Sequence, residues 1–219
     1  MFHTLSENAL RKLLIALSIY ITSLVAANTL GLKVMPFLFD SHLSVGVFMF
    51  PVVFLMTDII GEVYGKKMAK FFVLAGVIST ILWILYNVIS LSVPWSSGEH
   101  WAQGSYETIF GVTMRIAIAS IIAFAVAEYQ DVISFFFFKK KLGEKQFWLR
   151  SNLSNLWSQL LDTILFMTIA FLGVYENDVL ISLIITWWLF KVAMGIVYTP
   201  LAYVGIKLLK EKDHEGTAN

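Results

Sequence analysis

The chain has 219 residues, of which 58% are hydrophobic and 14% are charged, and its net charge is +1. A typical soluble domain has about 25% charged residues. Together with a mean hydropathy of +0.75, this composition excludes a soluble globular protein and predicts a membrane protein. Because the sequence contains no cysteine, disulfides, thiol nucleophiles and thiolate metal ligands are excluded.

Six apolar segments are long enough to cross a membrane, since a helical crossing needs about 20 residues. The fourth and sixth exceed one crossing, so we expect them to tilt or to extend past the membrane surface. The predicted fold is an all-α polytopic membrane protein, a six-transmembrane-helix bundle. In chain order the segments are Leu13–Leu32, Ser44–Tyr64, Ala69–Val93, Thr108–Phe138, Asn152–Val174 and Val179–Leu209.

The connections between these segments alternate in charge. Thirteen of the sixteen Lys and Arg residues lie at the chain ends or in and beside every second connection. The other connections carry mainly acids, with Lys33 as their single cation. By the positive-inside rule both termini are cytoplasmic. We treat residues 1–210 as one six-helix transmembrane domain and expect the polar tail 211–219 to be disordered.

Four ionisable side chains are predicted to lie inside the apolar segments. A rise of 1.5 Å per residue places Arg115, Asp162 and Lys191 near the midplane and Asp58 slightly to the cytoplasmic side. Each alone would cost about 2.5–3.5 kcal/mol there, so we expect the two anions and two cations to neutralise one another in a shared cavity. The alternative is structural, because buried ion pairs can also serve only to fix helix register.

The fifth segment carries a polar stripe. Six side chains fall within about 100° of one another on a helical projection, namely Ser151, Asn155, Ser158, Gln159, Asp162 and Phe166. Helix interfaces in membranes prefer small residues, whereas amides beside a carboxylate offer donors and acceptors to a planar polar ligand. The stripe therefore predicts a binding surface.

Other segments supply further candidates. In the second, Pro51 is expected to bend the helix, and Glu62 is expected to pair with Lys66 near the inner surface. In the first, Asn28 is the strongly polar side chain of the outer half, which alone is a weak indication of a site.

Five stretches resemble, in order, the queuosine precursor transporter family, also called the vitamin uptake transporter family. They are AANTLGLKV (26–34), FPVVFLMTDIIGEVYGKKMAKF (50–71), RIAIASIIAFAVAEYQDV (115–132), LRSNLSNLWSQLLDTILFMTIAFLG (149–173) and FKVAMGIVYTPLAY (190–203). The resemblance implies a bacterial inner-membrane importer of 7-deazaguanine bases, such as 7-cyano-7-deazaguanine, its aminomethyl relative or queuine, which are salvaged for the tRNA base queuosine.

Such a substrate lets us assign a contact to each of several residues of the polar stripe. We expect Asp162 to accept from the N1–H and 2-amino groups, Gln159 and Asn155 to contact the remaining edge, and Phe166 or Trp187 to stack on the base. The alternative gives the guanine edge to Asp58 and leaves Asp162 paired with Arg115. The predicted substrate-binding set is Asn28, Asp58, Arg115, Asn155, Gln159, Asp162, Phe166 and Lys191.

Other function classes fit the sequence less well. A membrane-embedded enzyme is disfavoured because all four histidines lie in predicted loops or tails and neither HExxH nor G-x-S-x-G occurs. The alternative transporter is a substrate-binding subunit of an ATP-driven multi-component vitamin importer, although the first segment lacks a repeated A-x-x-x-A docking stripe. A pore fits poorly with several desolvated charges.

The mode of energy coupling stays open at this point. Asp58 and Glu62 are carboxylates that could carry a proton, since burial favours the neutral acid. Alternatively, Asp58 is permanently ion-paired and downstream enzymes drive net uptake. As partners we expect a small-molecule substrate, membrane lipid and, as one option, a second copy in a homodimer; we expect no nucleic acid, cofactor or metal.

Overall fold

The computed structural model describes residues 6–31, 33–36, 42–96, 98, 100–111, 114–173 and 176–210. Within these ranges, the side chains of residues 34, 42, 43, 47 and 114–118 are not described. The predicted disordered tail, residues 211–219, lies outside the described part of the chain.

The described residues are almost entirely helical. The seven helices are α1 (Glu7–Leu30), α2 (Phe50–Tyr64), α3 (Lys66–Ser92), α4 (Gln103–Phe110), α5 (Met114–Leu142), α6 (Phe147–Phe171) and α7 (Asn177–Leu209). Between α1 and α2, strand β1 (Val34–Pro36) pairs antiparallel with β2 (His42–Ser44). A 3₁₀ turn, Val45–Phe48, then leads into α2.

Two glycines with positive φ reverse the chain between long helices. Gly65, at φ +86°, is the single residue between α2 and α3, and Gly143, at φ +75°, follows α5 directly. Glycine adopts such angles without the steric cost that a Cβ would bring. The resulting α5–α6 pair is the most extensively packed in the described structure.

The predicted spans agree with the helices except at two places. The fourth segment is not one helix, because α4 ends at Phe110, with Gly111 as its C-cap, and α5 begins at Met114. The second does not begin at Ser44, which instead caps the 3₁₀ turn by accepting from the Gly46 N–H at 3.1 Å.

The expected bend at Pro51 was wrong. Pro51 lies in the first turn of α2, where the missing N–H has no intrahelical partner to lose and the fixed φ favours the helix. The proline inside a described helix is Pro200, in α7.

Four of the described helices are long and apolar enough to cross a membrane: α1, α3, α5 from Ala119 onward, and α7. The second and fifth predicted spans correspond to α2 and α6, which are not among these four helices. Helix α2 has only 15 residues, about 22 Å at 1.5 Å per residue. Helix α6 has 25 residues, but its buried face is largely polar. The count of six crossings and the cytoplasmic termini stay predictions.

Helix α2 lies at the centre of the bundle. It contacts α1, α3, α5, α6 and α7, and nine of its 15 residues are buried. Many large apolar side chains of α1, α3 and α7 are instead exposed, such as Ile15, Leu85 and Val197. An extensive exposed apolar surface is expected where helices face lipid rather than water. The outer helices therefore shield a central region in which polar groups can gather.

Candidate functional site

An ion pair links α6 to α7 inside the bundle. The Lys191 Nζ donates to Asp162 Oδ2 at 2.7 Å and to Thr163 Oγ1 at 3.3 Å. Both charged residues are 6% exposed, and the Lys191 Nζ lies 5.4 Å from the centroid of the Phe50 ring. The expected neutralisation of Asp162 by an interior cation is thus present, with Lys191 as the partner.

Asp58 does not join that ion pair within the described structure. Its carboxylate accepts a hydrogen bond from Ser151 on α6, and the Asp131 carboxyl on α5 lies within hydrogen-bonding reach. The side chain of Arg115, the second predicted cation, lies outside the described residues. Of the four predicted interior charges, Asp162 and Lys191 therefore pair, Asp58 bonds to a hydroxyl of α6, and the predicted part of Arg115 stays a prediction.

Two buried acids on α5 were missed by sequence reasoning. Glu128 and Asp131 are both fully buried. Asp131 Oδ1 accepts from Ser158 Oγ at 2.8 Å. The Thr57 hydroxyl beside Glu128 donates to the Phe54 carbonyl at 2.7 Å, so neither Glu128 oxygen has a hydrogen-bond partner among the described residues.

A signal for these two acids was available in the sequence. Glu128 and Asp131 are three residues apart within the apolar run AFAVAEYQDVISFFFF, so they share one face of a helix. The same helix buries Ala119, Ala123 and Ala127, which are spaced four residues apart and form a ridge of small side chains. Small side chains at that ridge let α6 approach α5 closely, which places the α6 hydroxyls against the acids.

The polar stripe of α6 is buried as predicted. Ser151, Asn155, Ser158, Gln159 and Asp162 are all at most 6% exposed, whereas Phe166 is half-buried. The carbonyl oxygens Asn155 Oδ1 and Gln159 Oε1 have no hydrogen-bond partner among the described residues. Since buried polar groups are normally paired, these two oxygens are acceptors available to a ligand.

A third charge cluster lies at the end of α6 that joins α5. Glu62 Oε2 accepts from Lys139 Nζ at 2.9 Å and from Arg150 Nη2 at 3.0 Å. The expected pairing of Glu62 with Lys66 was therefore wrong. Arg150 is fully buried, with its guanidinium 5.3 Å from the centroid of the Phe135 ring, so it is an interior residue rather than a loop cation.

Asn28 makes a different kind of contact. Its Nδ2 donates to the Leu24 carbonyl at 3.1 Å, and its Oδ1 accepts from Ser120 Oγ at 3.2 Å. The bond to Ser120 connects α1 with α5. The structure therefore gives Asn28 a cross-link between helices and does not bond it to the α6 stripe.

The chemistry of the site is that of an acceptor-rich surface. Carboxylates and amide oxygens dominate it, and among the described residues no group of three His, Cys, Asp or Glu side chains could hold a metal ion. Oxygen acceptors arranged along one helix are suited to a ligand that presents several N–H donors.

Comparison with known proteins identifies the family. Residues 44–205 match the family model described as "Putative vitamin uptake transporter", which is more than half of the chain. The chain belongs to this family. Its members are transporters, so the prediction that the chain is not an enzyme is confirmed, and its apolar helices make it a multi-pass membrane protein.

Two curated relatives cover most of the chain. The "Probable queuosine precursor transporter" of Bacillus subtilis (strain 168) is 31% identical over 186 residues, which are 84% of this chain and 80% of the relative. The "Queuosine precursor transporter" of Escherichia coli (strain K12) is 27% identical over 175 residues, 78% of this chain and 76% of the relative. No solved structure gives a significant match.

The buried Glu62 cluster yields a stability prediction. Glu62→Gln removes the anion that faces the fully buried Arg150, and an uncompensated buried charge costs about 3–5 kcal/mol. We expect a large fall in the thermal unfolding midpoint of the detergent-solubilised protein. The matched control is Glu7→Gln, which breaks the exposed pair with Arg11 and is expected to leave the midpoint nearly unchanged. Equal shifts for the two variants would contradict the structural importance of the cluster.

Proposed function

We propose that this member of the vitamin uptake transporter family imports queuosine precursors, the 7-deazaguanine bases, across the bacterial inner membrane. The names of the two relatives support this class of cargo. The observation that carries the proposal is the pair of unpartnered acceptors on α6, Asn155 Oδ1 and Gln159 Oε1, beside the buried Asp162.

The acceptors match the edge of a guanine-like base. That edge presents the N1–H and the 2-amino group as neighbouring donors, and a buried acceptor left unpaired costs about 1–3 kcal/mol. A base that donates to Gln159 and Asn155 removes this cost, so part of the binding free energy comes from pairing these two acceptors. Asp162 adds a charge-assisted acceptor.

The ion pair changes the expected role of Asp162. Lys191 occupies its Oδ2, which leaves the other carboxylate oxygen to accept from the base, because each oxygen has its own lone pairs. The rival assignment, in which Asp58 holds the guanine edge, is less favourable because Asp58 is fully enclosed by Ser151 and Asp131.

Aromatic side chains complete the proposed site. Phe166 follows Asp162 by one helical turn and is half-buried, and Trp187 precedes Lys191 by one turn on α7. Phe50 lies beside the Lys191 amine. Each offers a flat apolar face to a purine-like ring, and stacking of such rings contributes beyond the buried area.

We further propose six crossings, by α1, α2, α3, α5, α6 and α7, with both termini in the cytoplasm. Two contacts support this arrangement. The Lys12 Nζ donates to the Lys210 carbonyl at 3.4 Å, so the start of α1 meets the end of α7. Glu62, Lys139 and Arg150 join the ends of α2 and α5 to the start of α6. The lysine-rich ends thus lie together, as the positive-inside rule requires of the cytoplasmic side.

Single cysteines test this topology, because the chain has none of its own. We expect Glu107→Cys, which is exposed on α4, to react with a membrane-impermeant maleimide on intact cells. Lys67→Cys, exposed at the start of α3, should react only after the membrane is opened. Labelling of Lys67→Cys on intact cells would refute the proposed orientation.

Binding measurements test the proposed cargo. We expect 7-cyano-7-deazaguanine, its aminomethyl analogue or queuine to bind the purified protein more tightly than guanine, as measured by calorimetry. Gln159→Leu should weaken that affinity about tenfold, the equivalent of one hydrogen bond of ~1.4 kcal/mol. Its effect on the ligand-free unfolding midpoint should be small or favourable, because Gln159 Oε1 has no partner to lose.

The control is Gln130→Leu, which removes an amide that bonds to Ser134 within α5 and should leave the affinity unchanged. Folded protein that binds none of the four bases would contradict the proposed function. Unchanged affinity in Gln159→Leu would contradict the proposed contact alone.

A further inference from the structure

Three carboxylates from two helices meet in the interior without a described cation. They are Asp58 of α2 and Glu128 and Asp131 of α5, none of them more than 1% exposed; we call them the acidic cluster. The two buried cations with described side chains are bonded to other acids, Arg150 to Glu62 and Lys191 to Asp162.

Three ionised carboxylates cannot coexist in such a place. Desolvation and mutual repulsion both favour the neutral acid, and a lone charge within a membrane bundle is costly. Asp58 and Asp131 are neighbours that each accept from a serine of α6, and two neighbouring buried carboxyl groups share one proton rather than both ionising. The acidic cluster therefore binds at least one proton.

The hydroxyls around the cluster are arranged to stabilise the carboxylates once such a proton has left. Ser151 donates to Asp58, and Ser158 donates to Asp131 Oδ1. These bonds stabilise the ionised form of each carboxylate after the proton has left. The second Asp131 oxygen, Oδ2, has no hydrogen-bond partner among the described residues, so it is available to the shared proton.

An independent observation on a third helix points to the same ligand. Tyr20 of α1 is fully buried, and its hydroxyl has no hydrogen-bond partner among the described residues. The charges of Glu128 and Asp131 act on this hydroxyl. Gly76 of α3 makes room for it, since a Cβ there would lie 2.7 Å from the Tyr20 oxygen. A phenol can donate to a carboxylate or accept from a carboxylic acid, which suits a group that passes protons.

We propose that Asp58 and Asp131 form the proton-binding site of a proton-coupled transporter, with Glu128 and Tyr20 as its relay groups. The coupling rests on the proposed function, in which the base binds near Asp162. In each cycle a proton from the outer side forms an O–H bond on the cluster, and breaking that bond delivers the proton to water on the cytoplasmic side.

The acidic cluster, rather than a neighbouring ionisable group, is the proton carrier. Glu62, once a candidate, is bonded to two cations, which hold it in place. Titratable groups on the elements packed around the cluster include Tyr20 on α1, Glu62 and Tyr64 on α2, Lys66 and Lys70 on α3, Arg150 and Asp162 on α6 and Lys191 on α7; the side chain of Arg115 on α5 is not described. Lys70 bonds to Tyr129 at the periphery.

Proteoliposomes that contain a pH-sensitive dye test the coupling. With 7-cyano-7-deazaguanine outside, the wild type should acidify the lumen as it takes up the base, and an inward proton gradient should raise uptake several-fold. Asp131→Asn should still exchange base across the membrane but lose both effects. Asp178→Asn, an exposed acid at the start of α7, is the matched control and should behave like the wild type.

The outcomes separate the two proposals. Uptake by the wild type without acidification and without response to the gradient would overturn proton coupling and leave the transport function standing. If no base is bound or taken up, the transport proposal fails. Infrared spectroscopy then tests the proton-binding site independently of transport. A carboxylic-acid carbonyl band at neutral pH that weakens in Asp58→Asn/Asp131→Asn supports the site, and its absence from the wild type overturns it. This measurement on the wild type also stands if Asp131→Asn does not fold.

Discussion

A charge inside a membrane protein must be matched by another charge, by hydrogen bonds or by a proton, and this constraint organises the whole interior of the bundle. Each of the three solutions is present. Lys191 matches Asp162 at 2.7 Å, two cations match Glu62, and hydroxyls with a shared proton are left for Asp58 and Asp131. The three clusters differ in what they can do: the first two are balanced, whereas the third changes charge whenever a proton moves.

The fold places these clusters in sequence along one helix. Arg150 begins the polar face of α6, Ser151 and Ser158 touch the acids of α2 and α5, and Asp162 bonds to α7. Helix α2 is short and central, so it can present Asp58 to this face while Glu62 anchors its C-terminal end. A polar path thus runs from the middle of the bundle toward the lysine-rich side. Transport of a polar base requires such a path, since a purely apolar core offers it no partner.

Sequence reasoning succeeded where a single helix decides the result. The periodicity of α6 identified its buried polar stripe, and the depth of Lys191 and Asp162 identified them as interior charges. It failed where the partner of a side chain depends on how one helix is rotated relative to another. Glu62 bonds to Lys139 and Arg150 rather than to Lys66. The burial of Glu128 and Asp131 was not predicted. Axial depth follows from counting residues, but the facing partner depends on packing that no single segment encodes. The predicted bend at Pro51 was wrong for a local reason, because the effect of a proline depends on where the helix begins.

The central claim is that the interior charges serve transport rather than the fold. The most direct measurement is uptake of 7-cyano-7-deazaguanine into proteoliposomes by Asp162→Leu/Lys191→Met. Replacing a buried ion pair with apolar residues of similar size is often neutral or stabilising, so this variant should insert and unfold thermally like the wild type. The account predicts that its uptake is lost. Uptake at the wild-type rate would contradict the account, because it would show that the ion pair is not needed for transport.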